Sequence, residues 1–268
     1  MAEMSEKVAI VTGAAIVEGK VNIGGAIATE LVASGARVMV ADIDGDGANA
    51  LTAELGGKFG EGVIASQVTD IRGEGDIERL VAATVEAFGT VDVVANNAGV
   101  FPERDGAVGD LDIEVWDDVM AVNVRGAMLL TKHALPVMLE KGRGSIVNTA
   151  STHAFAGDLS LTGYGASKAA VNALTVYTAT QYGRRGIRCN SVCPGTTTSP
   201  AVERAPERFR ELYQRHTINP ELNAPADVAR AVAFLASDAA NGINGMVVRV
   251  DGGLLAHQPF FADQREFD

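Results

Sequence analysis

The sequence is poor in the features that mark disulfide-bonded, metal-binding and membrane proteins. Its 268 residues include only two cysteines, Cys189 and Cys193, which lie too close together to cross-link a domain. We expect both to be reduced core residues. The four histidines show no metal-ligand spacing with them, so no metal site is predicted. No apolar run reaches membrane-spanning length without a charge or a glycine, and no secretion signal is recognised, so we expect a cytoplasmic protein.

Positive charge is scarce as well. The chain has 22 lysines and arginines against 34 aspartates and glutamates, a formal net charge of -12. Such a surface repels phosphate backbones and anionic lipid, which disfavours nucleic acids and membranes as partners. We therefore expect a small-molecule ligand.

Apolar residues and glycine, in contrast, are abundant. Hydrophobic residues make up 47% of the chain and glycine contributes 30 positions, as in a packed α/β protein. Short β-branched runs alternate with longer helical stretches, which predicts a doubly wound, seven-stranded parallel sheet with helices on both faces, in a single domain over residues 1–268. The predicted strands are Val8–Thr12, Arg37–Asp42, Gly62–Val68, Val91–Ala95, Ser145–Thr149, Arg188–Val192 and Met246–Val250. The predicted helices are Ile23–Ser34, Asp44–Leu55, Gly75–Phe88, Ile113–Leu139, Tyr164–Tyr182 and Pro225–Ala236.

Two segments lie outside this alternation. Residues 199–224 are rich in charge and predict an exposed, partly helical lid over a cleft. Arginines and glutamates alternate in it, which predicts ion pairs within the lid itself. The extension 254–268 contains Phe260, Phe261 and Phe267, whose apolar rings we expect to pack, with a neighbouring subunit as a plausible surface.

The first predicted strand leads through Gly13 into a helix that begins near Ile23. A helix start offers free N–H groups to a pyrophosphate, and glycine allows a close approach, although many turns contain glycine only for its positive φ. The second strand ends at Asp42, where a carboxylate would bind the adenosine ribose hydroxyls of NAD and repel the 2′-phosphate of NADP. Lys20 could partly offset that repulsion. The alternative role for Asp42 is the N-cap of the following helix.

Further motifs follow in a fixed order. They are Asn96–Asn97–Ala98–Gly99, Asn123, Ser151, Tyr164–Gly165–Ala166–Ser167–Lys168, Pro194–Gly195 and Asp251–Gly252–Gly253. Together with Thr12–Gly13 and Asp42, this series resembles the short-chain dehydrogenase/reductase family over nearly the whole chain. The resemblance implies a Rossmann-like fold and hydride transfer between a nicotinamide cofactor and a secondary alcohol or ketone.

The glycine turn departs from the family pattern. Where relatives have TGxxxGxG, the stretch TGAAIVEGKVNIG is longer by about five residues and places Asn22 at the middle glycine. Gly24 keeps the final glycine, and Gly19 is a possible substitute for the missing one. Gln67 stands where relatives have an aspartate that contacts adenine, and its amide oxygen could accept from the adenine amino group.

The resemblance also implies the rest of the cofactor site. Asn96 could serve mainly to hold neighbouring strands, and Thr197 and Ser199 are expected beside the nicotinamide carboxamide. The cofactor residues implied are Gly13, Asn22, Ile23, Gly24, Asp42, Ile43, Gln67, Val68, Asn96, Ala98, Gly99, Tyr164, Lys168, Pro194, Gly195, Thr197 and Ser199.

Tyr164 and Lys168 are spaced i, i+4, so a helix places both side chains on one face. A nearby ammonium and a positive nicotinamide ring should lower the pKa of the phenol and allow general acid/base catalysis. The resemblance implies that Lys168 also holds the ribose, that Ser151 binds the substrate oxygen and that Asn123 supports a water relay. Taken singly, these residues have other possible roles: Tyr164 and Lys168 as a pair on a helix surface, Ser151 as a helix cap and Asn123 as a residue that holds loops together.

The sequence thus predicts an NAD-dependent alcohol dehydrogenase or ketone reductase. A nucleotide-sensing or regulatory protein with little turnover is the alternative, and an epimerase would need a larger substrate domain. The family resemblance implies a homotetramer or homodimer. Substrate contacts are expected from residues 100–108, 152–163 and the lid, where His153 and His216 are possible ligands, although loop histidines are more often only solvated. An acyl-carrier substrate is disfavoured by the acidic surface.

Overall fold

A computed structural model describes residues 3–204 and 206–265; the predicted packing of Phe267 falls outside these ranges. The strands are β1 (Val8–Thr12), β2 (Ile16–Val17), β3 (Lys20–Val21), β4 (Arg37–Asp42), β5 (Ile64–Val68), β6 (Val93–Asn96), β7 (Gly144–Thr149), β8 (Ile187–Pro194) and β9 (Val247–Val250). The α-helices are α1 (Ile23–Ala33), α2 (Gly45–Phe59), α3 (Glu74–Phe88), α4 (Ile113–Met120), α5 (Ala127–Lys141), α6 (Thr162–Tyr182), α7 (Pro200–Arg204), α8 (Glu207–Arg215), α9 (Pro225–Ala236) and α10 (Phe261–Gln264).

Seven strands form one sheet in the order β5-β4-β1-β6-β7-β8-β9, and every pair is parallel. The chain builds outward from β1 to one edge and then returns to β6 on the other side of β1. This reversal opens a crevice at the carboxyl ends of β1 and β6, which is where open α/β sheets bind ligands. The predicted doubly wound, Rossmann-like fold is confirmed.

Two hydrophobic layers cover the sheet, one on each face. Along β1, Ala9 and Val11 point to the layer formed with α1, α2 and α9, whereas Val8 and Ile10 point to the layer formed with α3 and α5. Side chains alternate between the faces of a strand, so a strand buried on both sides must be apolar at every position. The apolar run VAIV is the consequence, and all five residues of β1, including Thr12, are buried.

Two local features differ from the sequence predictions. The lengthened glycine turn contains an antiparallel hairpin of β2 and β3, with Glu18 and Gly19 at positive φ (50° and 73°) in its two-residue turn. The helix predicted over Ile113–Leu139 has a π-helical segment, Ala121–Gly126, between α4 and α5. That segment contains Asn123, and π-helical turns are frequent at functional sites.

The predicted lid contains two short helices, α7 and α8. Among the residues of the lid that the structure describes, ion pairs reach other segments and not the expected partners within the lid. Lid side chains pair with other segments: Glu203 with Lys20, Arg204 with Glu18, and Arg215 with Asp263. None of the helices in residues 3–204 and 206–265 is long and apolar enough to cross a membrane.

The C-terminal extension packs on its own chain at the end of the lid. The ring of Phe261 stacks on His257 with centroids 4.4 Å apart, and the Nε2 atom of His257 lies 2.7 Å from the carbonyl oxygen of His216. Phe260 stays half exposed. The expectation that the phenylalanines pack is therefore met at Phe261 within the chain.

Candidate active site

The glycine turn lies at the carboxyl end of β1. Gly13 has a φ of 68°, and a Cβ atom there would lie 2.7 Å from the Cα atom of Ala98. At Gly24, the second residue of α1, a Cβ atom would lie 2.1 Å from the carbonyl oxygen of Gly13. Both positions thus require glycine for close packing of turn, strand and helix. The start of α1 is thereby held at the crevice, where Ile23 and Gly24 belong to the turn of helix whose N–H groups are free for an anion.

Gly19 does not replace the missing glycine of the turn. It lies at the tip of the β2–β3 hairpin, and a Cβ atom there would meet nothing within 4 Å. Asn22 has a defined local role instead, since its Oδ1 accepts from the amides of Gly25 at 2.7 Å and Ala15 at 3.2 Å. Asn22 is thus the N-cap of α1 and joins the two ends of the insertion.

The predicted adenosine contacts lie together at the ends of β4 and β5. Asp42 pairs with Val68, and Gln67 is the preceding residue of β5. Ile43 and Val68 expose large apolar surfaces at this edge. The Oδ1 of Asp42 accepts from the amide of Asp44, and it is Asp44 that caps α2 by accepting from Gly47. The alternative role of Asp42 as helix cap is therefore wrong.

In the motif after β6, Asn96 has a structural role, whereas Ala98 and Gly99 lie at the crevice. Asn96 is buried, and its Nδ2 donates to the Oδ1 of Asn148 at 2.8 Å and to the hydroxyl of Thr131 at 3.2 Å. It ties two strands and α5 together, so its placement is that of a structural residue. Ala98 abuts Gly13. At Gly99, a Cβ atom would lie 3.1 Å from the Nζ of Lys168, which places this glycine beside the buried ammonium.

Tyr164 and Lys168 lie on one face of α6, as their spacing predicts. The Nζ of Lys168 is 5.5 Å from the centre of the Tyr164 ring. Burial is the largest influence on the phenol and raises its pKa, while a hydrogen bond with Ser151 acts in the opposite direction. In the protein alone, desolvation of the phenolate therefore outweighs the effect of its neighbours, and the lowering of this pKa by Lys168 together with a bound nicotinamide stays a prediction.

The Lys168 ammonium is almost fully buried and donates to the carbonyl oxygen of Thr149 at 2.8 Å. Burial lowers its pKa to about 8. Near neutral pH the group still carries most of its charge, so a cation lies in a low-dielectric site beside Tyr164 and Gly99. Such a charge favours bound hydroxyl oxygens and a developing phenolate.

Ser151 connects Tyr164 to a second polar chain. Its Oγ hydrogen-bonds Tyr164 and lies 3.3 Å from the Nδ1 of His153, whose Nε2 is 3.4 Å from a carboxylate oxygen of Asp158. The His153 ring also meets the Tyr164 ring edge to face, with centroids 5.5 Å apart. The structure thus brings His153 to the site, whereas it places His216 at the far end of the lid, against the C-terminal extension.

Asn123 is buried, and its side chain is fully occupied. Its Oδ1 accepts from the amide of Val100 at 2.8 Å, and its Nδ2 donates to the carbonyl oxygen of Val100 at 3.0 Å and to the hydroxyl of Ser167 at 2.9 Å. The loop-tying role is therefore what the side chain performs. Because the side-chain atoms are already bonded, a contribution of Asn123 to a water relay would have to come from its backbone groups in the π-helical turn.

The segment after β8 runs beside the end of β9. A Cβ atom on Gly195 would lie 2.9 Å from the Cα of Asp251, so the chain after Pro194 requires glycine to pass that strand end. Thr197 donates its hydroxyl to the carbonyl oxygen of Gly195, and the Oγ of Ser199 accepts from the amide of Val202 at the start of α7. Both predicted contact hydroxyls are thus already held by internal bonds.

Three site residues lie in the segments predicted to contact substrate but were not singled out from the sequence. Phe101 meets the Tyr164 ring edge to face at 5.8 Å. Tyr213 of α8 hydrogen-bonds Thr196, and burial and the nearby Asp158 charge raise its pKa. Asp105 is buried, and its carboxylate binds the first turn of α6. Of the three, only Asp105 stands in a recognisable local pattern, because the pair Asp105–Gly106 is typical of a turn.

Comparisons with known proteins agree with this geometry. The family model described as Enoyl-(Acyl carrier protein) reductase matches residues 17–255. A protein of Bradyrhizobium diazoefficiens described as a short-chain type dehydrogenase/reductase is 41% identical over 266 residues, which cover 98% of this chain and 92% of that protein. A 7alpha-hydroxysteroid dehydrogenase of Bacteroides fragilis is 36% identical, with 97% and 98% covered.

A solved structure described as a short-chain dehydrogenase/reductase from Burkholderia xenovorans superposes with a TM-score of 0.89 at 32% identity. It covers 96% of this chain and 100% of that one. Sequence, fold and the ordered site residues therefore agree that the chain belongs to the short-chain dehydrogenase/reductase family.

Proposed function

We propose that the protein is an NAD-dependent alcohol dehydrogenase or ketone reductase in which Tyr164 transfers the proton. The observation that carries this proposal is the arrangement at the centre of the crevice. A phenol bonded to Ser151, with a buried ammonium 5.5 Å from its ring, lies next to the glycine turn of a dinucleotide-binding fold.

The nicotinamide, when bound, would supply the hydride acceptor or donor. In oxidation, the Tyr164 oxygen takes the proton of the substrate hydroxyl. In reduction, the Tyr164 hydroxyl gives its proton to the carbonyl oxygen. Ser151 holds the substrate oxygen in reach of Tyr164, and Lys168 binds ribose hydroxyls and stabilises the phenolate.

The preference for NAD rests on Asp42. Its carboxylate lies at the end of β4, where the ribose hydroxyls of a dinucleotide are bound in this fold. Lys20, the residue that could have offset its charge, is paired with Glu203 of the lid. The 2′-phosphate of NADP would therefore meet the negative charge of Asp42, and the Lys20 ammonium, paired with Glu203, would not offset it.

Several features favour a substrate with a secondary alcohol or a ketone. The rings of Phe101 and His153 both meet the Tyr164 ring edge to face, so apolar ring surface flanks the phenol where a carbon skeleton would bind. Asp158 and the net charge of -12 disfavour anionic substrates and acidic carriers. The name of the Bacteroides fragilis relative, a hydroxysteroid dehydrogenase, is consistent with a ring-bearing alcohol.

The experiment is a panel of alcohols and ketones assayed by the absorbance of the reduced nicotinamide, with NAD and NADP in parallel. We expect turnover with NAD, loss of turnover in Tyr164→Phe with NAD binding kept, and a relative gain of NADP in Asp42→Ser. NAD binding without turnover on any substrate would favour the regulatory alternative. Faster turnover with NADP would contradict the role of Asp42.

We also expect the enzyme to assemble as a homotetramer or homodimer. The outer faces of α5 and α6 expose Met128, Val176 and Tyr177, apolar side chains that a second copy would cover. Measurement of mass in solution tests this. A monomer at micromolar concentration would contradict it.

A further inference from the structure

Asp105 is a buried carboxylate that the mechanism above does not use. It lies in the loop between β6 and α4 and is fully inaccessible to solvent. Within residues 3–204 and 206–265 no cation pairs with it. Its Oδ1 accepts from the amide of Gly163 at 2.8 Å, and its Oδ2 accepts from the amide of Tyr164 at 2.7 Å. A buried charge needs such compensation, and here two helix amides supply it.

The same loop holds the residues just before Tyr164. The carbonyl oxygen of Asp105 accepts from the amide of Leu161 at 2.7 Å, and the carbonyl oxygen of Gly106 accepts from the hydroxyl of Thr162 at 2.8 Å. Leu161 has φ 59° and ψ 37°, a left-handed conformation that is unfavourable for leucine by about 1–2 kcal/mol. The surrounding bonds must therefore fix this conformation, and those from the Asp105 loop do so.

The other end of the loop is fixed by Asn123, whose side chain both accepts from and donates to Val100. Asn123 also donates to the hydroxyl of Ser167, and that hydroxyl donates to the carbonyl oxygen of Tyr164 at 2.7 Å. A closed circuit of hydrogen bonds therefore runs from Asn123 through the loop to Asp105, from Asp105 to Tyr164, and back through Ser167.

We propose that Asp105 is a positioning residue for the proton transfer: it fixes the first turn of α6 and so sets the place of the Tyr164 phenol relative to Lys168 and Ser151. This inference rests on the proposed function of Tyr164. The chemistry explains why a carboxylate stands there: each of its two oxygens accepts from one of two adjacent N–H groups, whereas an amide of the same shape would turn an N–H₂ group toward one of these donors.

Asp105→Asn tests the proposal, since it keeps the size of the side chain but turns an N–H₂ group toward a backbone N–H. We expect kcat to fall about ten- to a hundred-fold, because small misplacements at a reacting centre reduce rates on that scale. The KM for NAD should change less than about two-fold, since Asp105 does not line the dinucleotide turn. The pH midpoint of the Tyr164 phenol in the NAD complex, measured by phenolate absorbance against Tyr164→Phe, should shift by about half a unit or more.

Asp112→Asn is the matched control. Asp112 is an exposed N-cap of α4 that accepts from the amide of Glu114, so the same substitution replaces a carboxylate by an amide at the start of a different helix. Because asparagine caps a helix about as well as aspartate, this variant should leave stability, kcat and the phenol midpoint nearly unchanged.

A second variant covers the case in which Asp105→Asn does not fold. In Gly163→Ala the new Cβ atom would lie 3.3 Å from Oδ1 and 3.4 Å from Oδ2 of Asp105, so it presses on the contact without removing a charge. We expect a smaller change of kcat and midpoint in the same direction. Variants that are less stable but keep the wild-type kcat and midpoint would overturn the proposal. The absorbance titration needs no substrate, so its outcome is separate from a failure to find turnover in the wild type.

Discussion

The two ends of the crevice are built differently. At the proton-transfer end, Asn123, Ser151 and Lys168 are buried and each is held by hydrogen bonds to neighbouring elements. At the dinucleotide end, the inserted hairpin meets the lid through exposed ion pairs, Lys20 with Glu203 and Glu18 with Arg204. Buried bonds fix geometry, whereas exposed pairs contribute little and respond to salt. The contacts at the first end are thus buried and fixed, whereas those between the hairpin and the lid are exposed and weak.

The largest effect should follow from removing the cation at the fixed end. Lys168→Met keeps an unbranched side chain but removes the ammonium that stabilises the phenolate. We expect kcat to fall about 10²- to 10³-fold, the range of general acid/base contributions. Steady-state assays measure this, with Lys20→Met in the hairpin as the control that should stay within about two-fold. Equal losses of kcat in the two variants would contradict the difference between the two ends of the crevice.

Two glycines of the same turn should differ sharply when replaced by alanine. Gly24→Ala places a Cβ atom 2.1 Å from the Gly13 carbonyl oxygen, so we expect a loss of more than about 3 kcal/mol or failure to fold. Gly19→Ala meets open space and strains only a φ of 73°, at about 1 kcal/mol. Chemical denaturation compares them. Similar losses in both would mean that the hairpin is as tightly packed as the helix start.

Stability should depend on pH through Lys168. Its pKa is about 8 in the folded protein, against 10.5 as the ordinary value. Below pH 8 both states are protonated and the desolvation penalty is fully present. Between pH 8 and 10.5 the unfolded chain binds more protons, so the folded state gains stability as pH rises, by up to about 3 kcal/mol. Denaturation of the wild type and Lys168→Met across this range isolates the effect, since the variant should lack the gain.

The smallest effect should come from the hairpin and lid. Lys20→Glu sets a like charge against Glu203, and the double variant with Glu203→Lys restores an attractive pair. We expect the single variant to release NADH a few-fold faster at low salt, within about 1 kcal/mol, and the double variant to recover. Stopped-flow release at low and high salt measures it. A change that persists at high salt would show that something other than charge links the segments.

The sequence predicted those parts of the structure that local patterns determine, and it did not predict contacts between distant segments. Strands β1 and β4 and helix α9 match their predicted bounds because apolar runs and caps mark them locally. The placement of Tyr164 beside Lys168 followed from helical spacing alone. The hairpin, the partners of the lid charges and the contact of Asp105 with α6 depend on which segments meet in space, and no local pattern encodes that. The raised pKa of Tyr164 likewise depends on burial, which spacing does not give.

We expect NAD binding to turn the Tyr164 phenol into a proton carrier at neutral pH. The most direct test of this expectation is an ultraviolet difference titration of the wild type against Tyr164→Phe, with and without NAD. Without NAD, burial keeps the pKa of the phenol above its ordinary value of 10.0, so we expect no phenolate near neutrality. With NAD, the midpoint should move down by about two units or more, because a positive ring adjoins the phenol and Lys168. A midpoint that NAD does not move would contradict the account.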